Sequence, residues 1–348
     1  MTKQAGCRGG PAMKERLSAT VAVCTRNRPG PLEHCLASIA SLDPAPDAVI
    51  VVDQSDPAEA EHVRASCGNR VRYVRSEPKG LGFARQTAFV HCVTEILLFT
   101  DDDCLVRPQW AGALGEVFSV HHTAGASVGA CRPHPAHPLP AWAPQWITDW
   151  GDDDPQIFRH PADPATIGGG LNMGFRVSAI REIGGFDPRF GPGAPLRNAD
   201  DADSLHRVMR AGWAVVYTPD AVVSHCPPRD RSAHEANELS YAFGLGAWSA
   251  VASVEGDDVP TRWWWDAFRR ALERSIRCAP FDGPRATVQR LRVALELCRG
   301  RRAGTRAART PFMVARRLLG GGAPRLEVHD CRRHTPPRHG AIEPSVIL

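Results

Sequence analysis

The chain has 348 residues, 42 Lys+Arg, 38 Asp+Glu and 43% hydrophobic residues, the composition of a globular protein sized for two domains or one large one. Collagen-like, mucin-like and disordered chains are excluded. No apolar run approaches the ~18 residues of a membrane span, the longest being Phe243 to Val254 with Gly and Ser inside it.

Residues 1–16 are polar and Gly-rich and are expected to be disordered. Ala19 to Cys24 then predicts a buried strand that runs into the loop Thr25-Arg26-Asn27-Arg28-Pro29-Gly30. Leu32, Cys35, Leu36 and Ile39 recur at helical spacing, and Ala48 to Val52 predicts a second strand ending at Asp53. This is a β-α-β unit. Val71 to Val74 reads as a third strand, Phe83 to Val93 as a helix, and Ile96 to Thr100 as a fourth strand entering Asp101-Asp102-Asp103. Such alternation predicts an α/β fold with a central, mostly parallel sheet covered on both faces, whose ligands bind beyond the strand C-termini. Arg132 to Pro164, rich in Pro, Trp and His, reads as a long loop with room for a short helix. Its Trp142, Trp146 and Trp150 either stack on a ligand or pack as a small core. Leu205, Val208 and Met209 mark a helix closing at Gly212, and Trp213 to Thr218 a further strand.

Trp264, Phe268, Leu272 and Ile276, then Val288, Leu291 and Leu295, mark two amphipathic helices. They lie in a segment, Arg262 to Arg325, that holds 16 Arg and four acids, within a chain of net charge +4. Only three lysines occur in the chain, so part of this excess is a general preference for Arg. A solvated face, a membrane surface, nucleic acid and an anionic substrate all remain open for it. The eleven Cys include no C-x-x-C pair, and Cys24, Cys92 and Cys104 sit among apolar residues. With no secretory apolar stretch at the start, this predicts reduced thiols and a cytoplasmic protein.

Three features carry chemistry. Asp101 and Asp103, two apart on a strand, share a face, and two like charges ~4 Å apart repel by about 1–4 kcal/mol. That arrangement calls for a cation, and hard divalent ions take carboxylate oxygens; the plain alternative is a solvated acidic turn. Asn198-Ala199-Asp200-Asp201-Ala202-Asp203 opens a helix. Asn198 as cap and Asp201 as its capping-box partner account for one or two of these acids, and a third is left to act as a general base. His225 follows the apolar Ala221-Val222-Val223 and is either a structural histidine or a third metal ligand. Gly80 to Arg85 lacks the third glycine of a dinucleotide fingerprint.

Taken in order, these pieces resemble the family 2 glycosyltransferases of the GT-A fold, from Thr20 to Pro228. Val23 to Arg28 looks like the family's first strand and base loop, Val51 to Ser55 its second strand, Gly80 to Arg85 its Gly-rich segment, and Phe99 to Asp103 with Pro108 its D-x-D region. Gly170 to Arg176 and Gly184 to Asp187 resemble the donor-sugar and acceptor linings, and Asp200 to Asp203 the family's E-D-x-D, with Asp in place of the first Glu.

The resemblance implies a catalytic base at Asp201, with Asp200 the alternative, and a donor site of Thr25, Arg26, Asn27, Asp53, Gly82, Arg85, Asp101, Asp102 and Asn172. It implies acceptor contacts at Gly185, Phe186 and Asp187, to which we add Trp146 from the loop, and a Mn²⁺ or Mg²⁺ ion at Asp103, Asp101 and His225. The donor expected is a nucleoside-diphosphate sugar, with uridine diphosphate favoured, and the acceptor bears a hydroxyl, on a surface polysaccharide, a lipid-linked glycan or a small natural product. Peripheral membrane contact through the basic helices is compatible with this, and no nucleic acid is expected. The expected organisation is a GT-A catalytic unit over 17–228 (donor half 17–110, acceptor half 111–228), a basic helical extension over 229–325 and a disordered tail over 326–348. A sugar-1-phosphate nucleotidyltransferase would need glycines directly after the first strand, where this chain has Thr25 to Pro29. A non-catalytic scaffold would be expected to have lost the acids.

Overall fold

A computed structural model of the chain describes residues 16–308 except 135, 137, 139, 141–148, 227–229 and 278. The expectations for 1–15, for Trp142 and Trp146, and for the tail beyond 308 lie outside the described residues. The first half alternates strand and helix: β1 (Ala19–Thr25), α1 (Pro29–Ala40), β2 (Ala48–Asp53), α2 (Pro57–Cys67), β3 (Arg72–Arg75), α3 (Leu81–His91) and β4 (Ile96–Asp101). β5 (Cys104–Val106), α4 (Trp110–Val120), β6 (Ala124–Cys131), β7 (Gln156–Phe158), α5 (Pro164–Ile167) and β8 (Asn172–Arg176) follow. Then come α6 (Val177–Glu182), α7 (Asp200–Arg210), β9 (Ala214–His225) and three long helices, α8 (Arg231–Val254), α9 (Val259–Arg277) and α10 (Ala279–Ala307).

One sheet of nine strands runs in the order β3-β2-β1-β4-β8-β6-β9-β5, with β7 also on β9. The half from β3 to β4 is parallel. β8 runs antiparallel between β4 and β6, and β9 is parallel to β6, so six of the nine strands share a direction. The two-residue period of the strands divides their apolar side chains between two layers. Val21 and Val23 of β1 and Leu98 of β4 pack with Leu32, Leu36 and Trp110 on one face. Ala22, Leu97 and Phe99 pack with Ala84, Phe175 and Leu205 on the other. Phe99, Phe175 and Phe186 meet edge to face, with centroids 5.4–6.3 Å apart, a geometry worth about 0.5–1.5 kcal/mol per pair beyond burial.

The parallel half follows the predicted strands and helices to within two residues. Three expectations need correction, and the longest apolar run finds its place. The runs Trp213 to Thr218 and Ala221 to Val223 form one strand, β9, which continues past a register shift opposite Gly129/Ala130. The long loop contains β7, and Trp150 pairs with Cys131 across a single bridge. Phe243 to Val254 is the second half of the 24-residue α8. Val288, Leu291 and Leu295 of α10 face outward, because the side of that helix turned to the core is built from Leu297, Gly300 and Gly304.

Those glycines let α8 and α10 cross with their backbones touching: a Cβ at Gly300 would strike Phe243, and one at Gly304 would strike Ala247. Phe243, Ala247, Trp248 and Val251 of α8 then cover Phe190, Leu196, Ala199 and Ala202. The helical extension thus packs directly behind the start of α7. Cys24, Cys92 and Cys104 are unpaired thiols, as expected. No helix among the described residues is long and apolar enough to cross a membrane.

Candidate active site

The C-terminal ends of β1, β2 and β4 open at one edge of the sheet, where parallel strands leave a crevice. Thr25, ending β1, donates from Oγ1 to Asp102 Oδ2 at 2.7 Å. Asn27, in the left-handed region at φ 58°, exchanges side-chain and backbone hydrogen bonds with Asp56 at 2.8 Å each way, and its N–H donates to Ser55 Oγ. This fastens the β1 loop to the β2 loop. Arg26 stays exposed, 3.9 Å from Asp56. Arg28 donates from one guanidinium nitrogen to Asp102 Oδ1 (2.8 Å) and Asp103 Oδ2 (3.0 Å). Burial and the Asp103 charge push the Asp102 carboxyl up to about 6, against the pull of Arg28 and Thr25.

Asp53, at the end of β2, is fully buried. Its Oδ1 accepts the Ser55 N–H (2.8 Å), and its Oδ2 accepts the Tyr73 hydroxyl (2.6 Å) and Arg75 Nη1 (3.3 Å). The Asp53 carboxylate therefore braces the crevice wall. Gly82 sits where a Cβ would run into the Asp187 and Phe190 carbonyls, so it serves close packing of α3 on the 187–190 loop.

Arg85 is the buried cation of the site. Its guanidinium pairs with Asp200, donates to the Gly170 carbonyl at 3.0 Å and lies 3.9 Å from Asp101. Asp101 is partly open to solvent, at 37% side-chain exposure. Its carboxyl is pushed above the usual range by burial, against the pull of Arg85, and the Asp103 charge adds to the rise.

The β5–β9 ladder sets His225 opposite Cys104, which brings His225 Nε2 to 3.5 Å from Asp103 Oδ1. Carboxylate oxygens with one imidazole make a donor set suited to Mn²⁺ or Mg²⁺. Among the described residues, no three His, Cys, Asp or Glu side chains already converge on one point.

α7 begins abnormally. Arg197 and Ala199 both adopt positive φ, 66° and 73°, a conformation rare outside glycine that marks strain at sites of function. Asn198 does not cap the helix as expected: its side-chain oxygen accepts the N–H of adjacent Ala199, and Ala199 is the N-cap. The three acids that follow take separate partners. Asp200, 5% exposed, faces Arg85, and burial pushes its carboxyl up to about 6 against that cation's pull, with Asp201 adding to the rise. Asp203 pairs with Arg207, which also donates to the carbonyls of Ile183 and Gly185. Asp201 is half-buried, its two oxygens oriented by the backbone N–H groups of Gly170 and Ala202 at 2.8 Å each.

Several expected contact residues are placed in the scaffold. Asn172 is fully buried, accepting from Trp110 Nε1 and donating to the carbonyls of Ala130 and Ala221, all at 2.8 Å. These bonds use its whole amide to join β6, β8 and β9. Phe186 is 1% exposed, within the aromatic trio. Gly185, at φ 87°, leaves room for Gln86, whose Oε1 accepts the Phe186 N–H. Asp187 is buried in a pair with Arg189. Arg28, Tyr73 and Arg75 had not been singled out. Arg28, like Arg26, lies in the strand-one loop, where a basic residue could meet the acids at the end of β4; Tyr73 and Arg75 carried no such signal.

Residues 20–184 match the family model described as Glycosyl transferase family 2. Two Mycobacterium tuberculosis proteins, from strains CDC 1551 / Oshkosh and ATCC 25618 / H37Rv, both named Pre-mycofactocin glycosyltransferase, are 27% identical over 225 residues, 62% of this chain. That stretch is 44% of their own length, so the chain spans less than half of the curated relatives it matches. Among solved structures, the mannosyltransferase PcManGT from Pyrobaculum calidifontis, in complex with GDP-Man and Mn²⁺, superposes with TM-score 0.54 at 20% identity, covering 87% of both chains. S. aureus TarS 1-349 gives TM-score 0.51 at 13% identity, covering 88% of this chain and 90% of that one. These two share the fold of this chain, a GT-A-like α/β sheet followed by helices. The segment 20–184 is thus similar to glycosyl transferase family 2, and the architecture of the chain is GT-A-like.

Proposed function

We propose that the chain moves a sugar from a nucleoside-diphosphate sugar to an acceptor hydroxyl in one inverting displacement, with Asp201 as general base. The observation that carries this is the contrast between adjacent acids: Asp200 is sealed against Arg85, whereas Asp201 is held by two backbone N–H groups and stays open to the crevice. Asp201 takes the acceptor proton as the acceptor oxygen bonds to the anomeric carbon, and the bond from that carbon to the diphosphate oxygen breaks. A base so placed contributes typically 10²- to 10⁴-fold. Arg85, fixed by Asp200 and close to Asp101, supplies permanent positive charge behind the diphosphate position.

Asp101, Asp103 and His225 would hold a divalent cation, Mn²⁺ or Mg²⁺, which when bound supplies positive charge to the departing diphosphate. The mutually repelling carboxyls of Asp101, partly open to solvent, and of buried Asp103, beside an imidazole, support that assignment. Thr25, Arg26, Asn27 and Arg28 line the donor entrance, with Asp53 as the brace beneath it and uridine diphosphate the favoured carrier. Gly185 and Asp187 shape the acceptor side from behind, and Phe186 supports them from the core. Residues 17–228 form the catalytic unit, 17–110 serving the donor and 111–228 the acceptor, while 229–325 form the basic extension. Calorimetric titration with a panel of nucleoside diphosphates, with Mn²⁺ or with chelator, tests the donor half. Metal-dependent binding of one nucleotide supports it, and binding of none contradicts it.

A further inference from the structure

The outer face of α10 carries a line of exposed apolar side chains. Val288, Leu291 and Leu295 recur at helical spacing and are 54%, 48% and 49% exposed. At 100° per residue they lie about 120–180° around the helix from Leu297, which is buried with Trp264 and Ala242 of α9 and α8. Arg292 and Arg302 stand exposed beside the apolar line. The one acid among the described side chains of α10, Glu296, is buried and paired with Arg197 and Arg299.

An apolar line flanked by guanidinium groups, with no exposed acid on its own helix among the described side chains, matches one surface in both polarity and charge. That surface is the interface of an anionic bilayer, where apolar side chains enter the acyl boundary and basic ones meet the headgroups. We infer that the outer face of α10 docks the chain on anionic membranes. The face is rigidly tied to the site. α10 packs on α8 backbone to backbone, and α8 approaches Asn198, two residues before Asp200, through Gly244. A docked face therefore holds the acid cluster at a fixed attitude to the lipid.

Flotation of the full chain with phosphatidylcholine–phosphatidylglycerol vesicles, against phosphatidylcholine alone, tests this without donor or acceptor. Binding to the anionic vesicles only, weakened by salt, is expected. Arg292→Ala and Arg302→Ala should each lower the partition coefficient about fivefold, and Leu291→Ser with Leu295→Ser about tenfold. Melting temperature and nucleoside diphosphate binding should be unchanged in all of them. Equal binding to neutral vesicles, undiminished binding by these variants, or no binding by the full chain overturns the proposal. So does self-association without lipid that the Leu variants abolish, which would make this face an interface between copies.

Discussion

Arg85 and Asp200, 115 positions apart, form an ion pair shut off from solvent, with side chains 2% and 5% exposed. The pair joins α3 to the first turn of α7. Removing one partner of a buried pair leaves the other charge uncompensated and typically costs about 3–5 kcal/mol.

Arg85→Met should therefore lower stability by roughly that amount at neutral pH, and the deficit should depend on pH. Burial pushes the Asp200 carboxyl up to about 6, above the ~3.9 of an unfolded chain, so ionising it in the folded protein is unfavourable. The stability linked to its proton is fully present below about pH 4 and is lost as pH rises through 6. Without Arg85 to offset the charge, that loss grows. Urea unfolding at pH 4.5 and 7.5 should show the wild-type-to-variant gap widening with pH; a constant gap would count against the pairing.

Asn172→Ala should cost about 2–4 kcal/mol, because it strands the Trp110 indole N–H and two buried carbonyls. If Asn172 is a latch between strands, the folded variant binds nucleotide with wild-type affinity. A large loss of affinity at unchanged stability would return it to the donor site.

Asp103→Ala should abolish metal-dependent nucleotide binding, and His225→Ala should weaken it while sparing any metal-independent binding. Titration with and without chelator separates the two effects. Equal affinity in wild type and Asp103→Ala, in Mn²⁺, would remove the metal assignment.

Of the parallel half, β1, β2 and β4 were readable because each is a short apolar run bounded by a turn, and each ends at the crevice, on Thr25, Asp53 and Asp101. The second half was harder for physical reasons. β6 is Ala- and Gly-rich, Ala124 to Cys131, and is made a strand by its neighbours rather than by propensity. α8 starts with polar residues and turns apolar only near Phe243. In the site, the acids could be located from their pattern and the Asp203–Arg207 pair follows from i,i+4 spacing on α7, but the roles of Asp200 and Asp201 depend on Arg85 and Gly170, whose proximity only the fold creates. For the same reason Asn172 and Phe186 looked like lining residues: a motif places a residue near a site without saying which way its side chain is spent.

The most direct measurement is transfer by Asp201→Asn beside its nucleotide titration. We expect unchanged, metal-dependent nucleotide binding with the transfer rate down about 10²- to 10⁴-fold, since the amide keeps the shape and, with its oxygen toward Gly170, gives up only the Ala202 N–H bond but takes no proton. Wild-type transfer by Asp201→Asn would contradict the assignment of the base and, with it, the proposed displacement.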